Sequence, residues 1–183
     1  LGQATTYQYN RDGQVLSTTT PAGTTRSGYD SAGHQIESVD ANGTRTVYQY
    51  DAAGRVLQRT VDPDGLKLSS RTEYDAEGRV LRQTEPNGRV TEQRYDAAGR
   101  LQSLIVDPDG LKLTTTYGYD AQGRQIRVTE AAGTAQAKTT EYEYDGAGRR
   151  VRETVDPEGL KQSTVYQYDG QGNVVSKTDA MGK

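Results

Sequence analysis

Paired carboxylates set beside a proline and a glycine are the residues of this chain best placed to do chemistry. "VDPDGLKL" stands at Val61–Leu68 and again, letter for letter, at Val106–Leu113, and "VDPEGLKQ" comes third at Val155–Gln162. Such a string suits a metal loop, a catalytic or self-cleaving aspartate, or a turn. Calcium takes six to eight oxygens converging on one point. A four-residue turn offers only two or three, and the next turn on the same sheet edge lies about 10 Å away. No metal site is therefore expected. A nucleophile with its base is equally hard to assemble, because the chain holds one histidine, His34, and no cysteine. His34 occupies the place after a turn glycine where five other copies carry arginine, so it reads as a solvated residue flanking a turn. The glycines are spaced for turns rather than for a helix N-terminus, and no phosphate cradle is expected either. Catalytic residues, cofactor sites and metal ligands are all read as none, and the chain as no enzyme.

The elements that position these strings emerge from an internal repeat. "YDxxG" occurs as "YDSAG", "YDAAG" (twice), "YDAEG", "YDAQG", "YDGAG" and "YDGQG", with the variant "YNRDG" at Tyr9, and successive tyrosines lie 20 to 25 residues apart. The repeat motif comprises Tyr29, Asp30 and Gly33; Tyr50, Asp51, Gly54 and Arg55; Tyr74, Asp75, Gly78 and Arg79; and Tyr95, Asp96, Gly99 and Arg100. It continues with Tyr119, Asp120, Gly123 and Arg124; Tyr144, Asp145, Gly148 and Arg149; and Tyr168, Asp169 and Gly172. Between these copies sits a second punctuation, "TPAG", "DANG", "DPDG", "EPNG", "DPDG", "EAAG", "DPEG" and "DAMG". All sixteen strings share a polar residue, two permissive residues and glycine. In a type I turn an aspartate at the first position caps backbone N–H groups, proline fits the second, and glycine takes the left-handed conformation at the fourth. All five prolines fall at that second position and sixteen of the 21 glycines at the fourth. "DPDG" is thus expected to be the turn opposite "DAAG", on the other edge of one long meander.

Composition agrees with strands. Leu, Ile and Val number 28, about 15% of the 183 residues, and Phe and Trp are absent. That is too little for a two-sheet sandwich core. Thirteen tyrosines and many threonines take the place of the missing bulk, and both types favour strands. The formal net charge of −3 and the absence of a basic block exclude a nucleic-acid footprint. No run reaches the length needed to span a membrane, and "LGQATTYQYN" has no signal-peptide core.

Segments of six to eleven residues between the turns predict an all-β fold: a long antiparallel hairpin meander of sixteen strands, with Leu1–Tyr9 as the first. Residues 1–183 read as one repeat array of about eight repeats. At about 4.8 Å per strand the sheet would extend roughly 70 Å, and open sheets of that width curl. Tyr-x-Tyr pairs place two rings on one face, and the Tyr-Asp tyrosines should form a column near one edge. The arginines after the glycine in five copies (Arg55, Arg79, Arg100, Arg124 and Arg149) are close enough to lie over those rings or to pair with acids. Two registers are open. A three-residue loop with a glycine bulge sets the tyrosine opposite the second residue after Gly, and a four-residue loop sets it opposite the arginine. The third residue after Gly is apolar in seven of eight copies (Leu16, Ile36, Leu57, Leu81, Ile126, Val151 and Val175, against Gln102), which favours the four-residue loop.

"YDAAGRVL", "YDAEGRVL" and "YDAAGRLQ" resemble the YD-repeat family, also called rearrangement-hotspot (Rhs) repeats, and the resemblance runs over essentially the whole chain. Its members include bacterial polymorphic toxins, the C components of insecticidal toxin complexes, and teneurins. The resemblance implies a curled or spiralling sheet forming part of a shell, which in the bacterial toxins encloses a toxic domain. It also implies a bacterial protein that is secreted or displayed at the cell surface. The core region and toxic domain that come after such arrays in the toxins have no counterpart here, and the chain looks like a window from a longer array. Two functions are weighed: a structural shell segment around toxic cargo, and a surface or filamentous repeat that contacts carbohydrate or a partner protein. Expected partners are flanking repeats, or neighbouring copies reached through exposed edge strands, and an enclosed toxin domain. Nucleic acid and membrane insertion are not expected.

Overall fold

A computed structural model describes residues 4–183. Their regular structure is sixteen strands that succeed one another in chain order. They fall into two compact units, one ending at Val90 and one beginning at Thr91. The first holds β1 (Thr6–Tyr9), β2 (Val15–Thr20), β3 (Gly23–Tyr29) and β4 (Gln35–Val39). It continues with β5 (Arg45–Tyr50), β6 (Val56–Val61), β7 (Leu68–Tyr74) and β8 (Val80–Thr84). The second holds β9 (Val90–Tyr95), β10 (Leu101–Val106), β11 (Leu113–Tyr119) and β12 (Gln125–Glu130), then β13 (Lys138–Tyr144), β14 (Arg150–Val155), β15 (Gln162–Tyr168) and β16 (Val174–Thr178). Within each unit every strand pairs antiparallel with its chain neighbours. The meander and its strand number are as the turn spacing predicts, although β1 starts at Thr6 and residues 1–3 of its expected span lie outside the described residues.

The register at the Tyr-Asp turns overturns the four-residue reading. Gly54 N–H donates to Asp51 O at 3.1 Å, Asp51 N–H donates to Arg55 O at 2.9 Å, and Tyr50 lies opposite Val56, the second residue after Gly. Gly54 takes φ +76°, so the loop is three residues with a glycine bulge. A second bulge comes at once: Gln49 faces Gln58, which leaves Leu57 as the extra residue. The same slip occurs in all eight Tyr-Asp hairpins, so the third-position residues Leu16, Ile36, Leu57, Leu81, Gln102, Ile126, Val151 and Val175 are bulge residues, and their apolar character did not mark the four-residue loop. Each hairpin thus carries two bulges, and each adds local twist.

The two faces differ in chemistry. Because opposite residues share a face, Tyr48, Tyr50 and Tyr74 lie together, as do Tyr117, Tyr119, Tyr142, Tyr144, Tyr166 and Tyr168 in the second unit. The reverse face carries ion pairs such as Arg45–Glu37 (3.0 Å) and Arg127–Glu141, with cross-strand hydroxyl pairs Thr60–Ser69 (3.1 Å), Thr129–Thr139 (3.0 Å) and Thr154–Ser163 (3.0 Å). Burial is shallow throughout. Ile105 is the one buried hydrophobic side chain among the described residues, beside Thr46, Thr60 and Ser103. Stability must come from many small cross-strand contacts, each about 0.2–1 kcal/mol, rather than from a core.

Candidate functional site: a ladder of aspartate, arginine and tyrosine

Each Tyr-Asp turn begins with the aspartate. In the Asp51 turn, Oδ1 accepts from Ala53 N–H and Arg55 N–H, both at 2.9 Å, while Oδ2 accepts from Arg55 Nε at 2.6 Å. Asp75–Arg79, Asp96–Arg100, Asp120–Arg124 and Asp145–Arg149 repeat that Nε contact at 2.6–2.7 Å. The carboxyls are held below the usual aspartate range. For Asp51, Asp96 and Asp145 the largest cause is the backbone N–H of the arginine. For Asp75 and Asp120 burial is the largest single influence and pushes upward, but the guanidinium and backbone donors together outweigh it.

The arginine then reaches forward. Arg55 Nη1 donates to Asp75 O at 3.2 Å, and its guanidinium carbon lies 4.7 Å from the centre of the Tyr74 ring. Tyr74 reaches back, its hydroxyl donating to Val56 O at 3.1 Å. One step therefore joins two successive hairpins by a cation–π contact and two hydrogen bonds in opposite directions. The second unit repeats the step from Arg100 to Tyr119 and Asp120, from Arg124 to Tyr144 and Asp145, and from Arg149 to Tyr168 and Asp169. Tyr119, Tyr144 and Tyr168 return hydroxyl bonds to Leu101, Gln125 and Arg150 carbonyls. The sequence offered lying over a ring and pairing with an acid as alternatives. Arg55, Arg100, Arg124 and Arg149 do both, and the ring belongs to the next repeat.

The rungs without arginine improvise. His34, read from sequence as merely solvated, sets Nδ1 3.0 Å from Asp30 Oδ2 and stacks on Tyr50 with ring centres 4.9 Å apart. Its place in the period was the signal for this role. Gln14 Nε2 donates to Gly33 O at 3.0 Å, Tyr29 hydroxyl still reaches Val15 O at 3.1 Å, and Asn173 Nδ2 holds Asp169 Oδ2 at 2.9 Å. The Tyr95 hydroxyl donates to Gln93 Oε1 at 2.9 Å. A contact with no warning in the period is Arg150, whose guanidinium lies 5.5 Å from the Tyr142 ring and 5.2 Å from the Tyr166 ring.

On the opposite edge the three "DPxGLK" strings are not the four-residue turn expected of them. Val61 pairs with Leu68, so residues 62–67 form a six-residue loop. The left-handed residues are Asp62 (φ 51°) and Lys67 (φ 52°), not Gly65, and the pattern repeats at Asp107 and Lys112 and at Asp156 and Lys161. Asp62 Oδ2 accepts from Leu66 N–H at 2.8 Å, and Asp62 O accepts from Gly65 N–H and Lys67 N–H. Gly65 is required for space, since a Cβ there would fall on the Asp62 carboxylate. The aspartate's hydrogen-bonding capacity goes to loop closure. Among the described residues no three His, Asp or Glu side chains converge as a metal site.

A meander of Tyr-Asp hairpins laced by this ladder defines a structural β-repeat protein. The RHS Repeat model matches residues 29–67, 74–112, 105–135 and 150–183, well over half of the chain, which belongs to that family. Among solved structures it is similar to one of TcdB2–TccC3–Cdc42, at 18% identity and a TM-score of 0.57, with 96% of this chain covered and 12% of that one. A structure of TcdB2–TccC3–TEV gives 18% identity, a TM-score of 0.53 and the same coverage. A Tc holotoxin pore structure from Photorhabdus luminescens gives 18% identity, a TM-score of 0.52 and again 96% and 12%. These likenesses establish the fold, and the chain spans about an eighth of the length of the chains it matches. No curated protein matches it.

Proposed function

We propose that this chain is a non-enzymatic segment of a curled β-sheet wall that encloses a toxic cargo domain in an exported bacterial Rhs toxin. The observation that carries the reading is the ladder. It spends the repeat's charged and aromatic residues on joining each hairpin to the next, which is what a wall that closes around a volume needs. Two bulges per hairpin supply twist at every repeat, and the lack of a core leaves both faces available, one to cargo and one to solvent. Flanking repeats would continue the ladder, and a secreted or cell-surface location belongs to the same reading.

The test uses the full-length product of the parent gene. Limited proteolysis should leave a domain downstream of the array intact while the wall is folded. Replacing Arg100, Arg124 and Arg149 together by alanine should open the wall and expose that domain to cleavage. A downstream domain cut equally fast in both proteins, or the absence of any domain beyond the array, would refute enclosure.

A further inference from the structure

The three "DPxGLK" loops present Leu66, Leu111 and Leu160 at 76%, 76% and 77% exposure, the most open leucines among the described residues. Nothing in the loop requires an apolar residue there, because the bond that closes it uses only the backbone N–H of the leucine. The loops are also held in one conformation. Each has left-handed residues at both ends, a carboxylate cap on the leucine N–H, and a glycine with no room for a side chain. The same rigid display occurs three times on one edge of the meander, beside an acid (Asp64, Asp109, Glu158) and a lysine (Lys67, Lys112, Lys161).

We propose that this loop edge is an interaction surface, and that its partner is the same edge of a second copy of this chain. The period of the display supports that occupant. Within the second unit Leu111 and Leu160 sit on loops four strands apart, about 19 Å at the spacing of paired strands. A partner that engages both must carry matching features at that interval, and another edge of the same repeat does so automatically. Charge supports it too. Each loop holds its acid at the third position and its lysine at the sixth, so two edges related by a two-fold axis set lysines toward acids while the leucines meet between them. The acids need not be vacant, since Asp64 already holds Arg45 at 3.4 Å and a carboxylate can accept from more than one cation. One such contact is small, and the row gains strength because several engage together. This association does not depend on whether the wall encloses cargo.

Sedimentation velocity of the 183-residue chain across a wide concentration range tests it, with circular dichroism as the control for folding. The expected result is a concentration-dependent dimer whose dissociation constant rises about ten-fold or more in Leu111→Ser/Leu160→Ser. At such exposure the serines leave the fold intact. A second variant, Lys112→Glu/Lys161→Glu, should also weaken the dimer, and added salt should do so in the parent chain. A chain that stays monomeric throughout, or a leucine variant that dimerises like the parent, overturns the proposal. So does association lost on Val174→Lys alone, which would assign it to the open side of β16 instead.

Discussion

Arg124 is tied to Asp120 behind it and to the Tyr144 hairpin ahead of it, so truncating it severs contacts in both directions. Arg124→Ala should destabilise the second unit by about 1–2 kcal/mol, the sum of a cation–π contact and hydrogen bonds at a partly exposed site. Arg124→Lys should recover less than half of that, because an ammonium cannot donate to Asp120 and to Asp145 O at once as the guanidinium fork does. His34 gives the converse experiment. Beside it lies an open groove of about 610 Å³ lined by Asp30, Ile36, Tyr48, Tyr50 and Asp51, room that a longer side chain can use. His34→Arg should raise stability by about 0.5–1 kcal/mol through the forward bond to Asp51 O that the imidazole does not make. Thermal melts of the three variants decide both points, and an unchanged or lower melting temperature for His34→Arg would contradict the equivalence of the rungs. At this scale the sequence displayed the participants plainly, since Tyr, Asp, Gly and Arg recur in phase. It did not display which ring each arginine covers, because its own tyrosine and the next lie within similar reach until the register is known.

The hairpin is where sequence and structure part most. Turn positions were legible throughout, because Gly and Pro punctuate both edges. The three "DPxGLK" loops nevertheless close differently from the Tyr-Asp turns under one consensus, while Asp40–Gly43 and Glu85–Gly88 on the same edge close as the Tyr-Asp turns do, so what sets the six-residue loops apart is the Leu-Lys after their glycine. Left-handed aspartate and lysine residues carry no sequence flag of the kind glycine supplies. The apolar third residue misled for a related reason. It is the extra residue of a bulge, and alternation alone cannot show that a strand skips a residue. Gly123 and Gly110 separate the two designs. Gly123 has φ +82° and open space around it, so Gly123→Ala should cost about 1–2 kcal/mol from backbone conformation alone. At Gly110 the penalty is the Asp107 carboxylate, so Gly110→Ala should be destabilising alone but largely relieved in the background of Asp107→Gly. Additive effects in that double-mutant cycle would show that the loop is not closed by its carboxylate.

Across the whole molecule, the aspartates that close the turns add to the cross-strand contacts, and their charge ties folding to acid. Asp30, Asp51, Asp75, Asp96, Asp120, Asp145 and Asp169 are all held below the ordinary aspartate value, by donors that vanish on unfolding. A carboxyl whose folded pKa is depressed contributes stability that is fully present above its unfolded value and is lost as pH falls through the folded one. Seven such groups titrating over the same interval should therefore give stability that is flat above about pH 5. It should begin to fall near the ordinary aspartate value and keep falling below it, more steeply than one group could produce. Asp145→Asn isolates one share. The amide keeps an oxygen for the backbone donors but loses the charge that holds Arg149, so the variant should be less stable than the parent at about pH 7, and the gap should narrow as pH falls below the ordinary aspartate value. Urea unfolding measured across that range reads both curves. If the parent's stability held constant down to about pH 2, or if the asparagine variant ran parallel to it throughout, the aspartates would not be what joins the hairpins. The repeated hydroxyl pairs of the reverse face, which do not titrate there, would then have to carry the sheet.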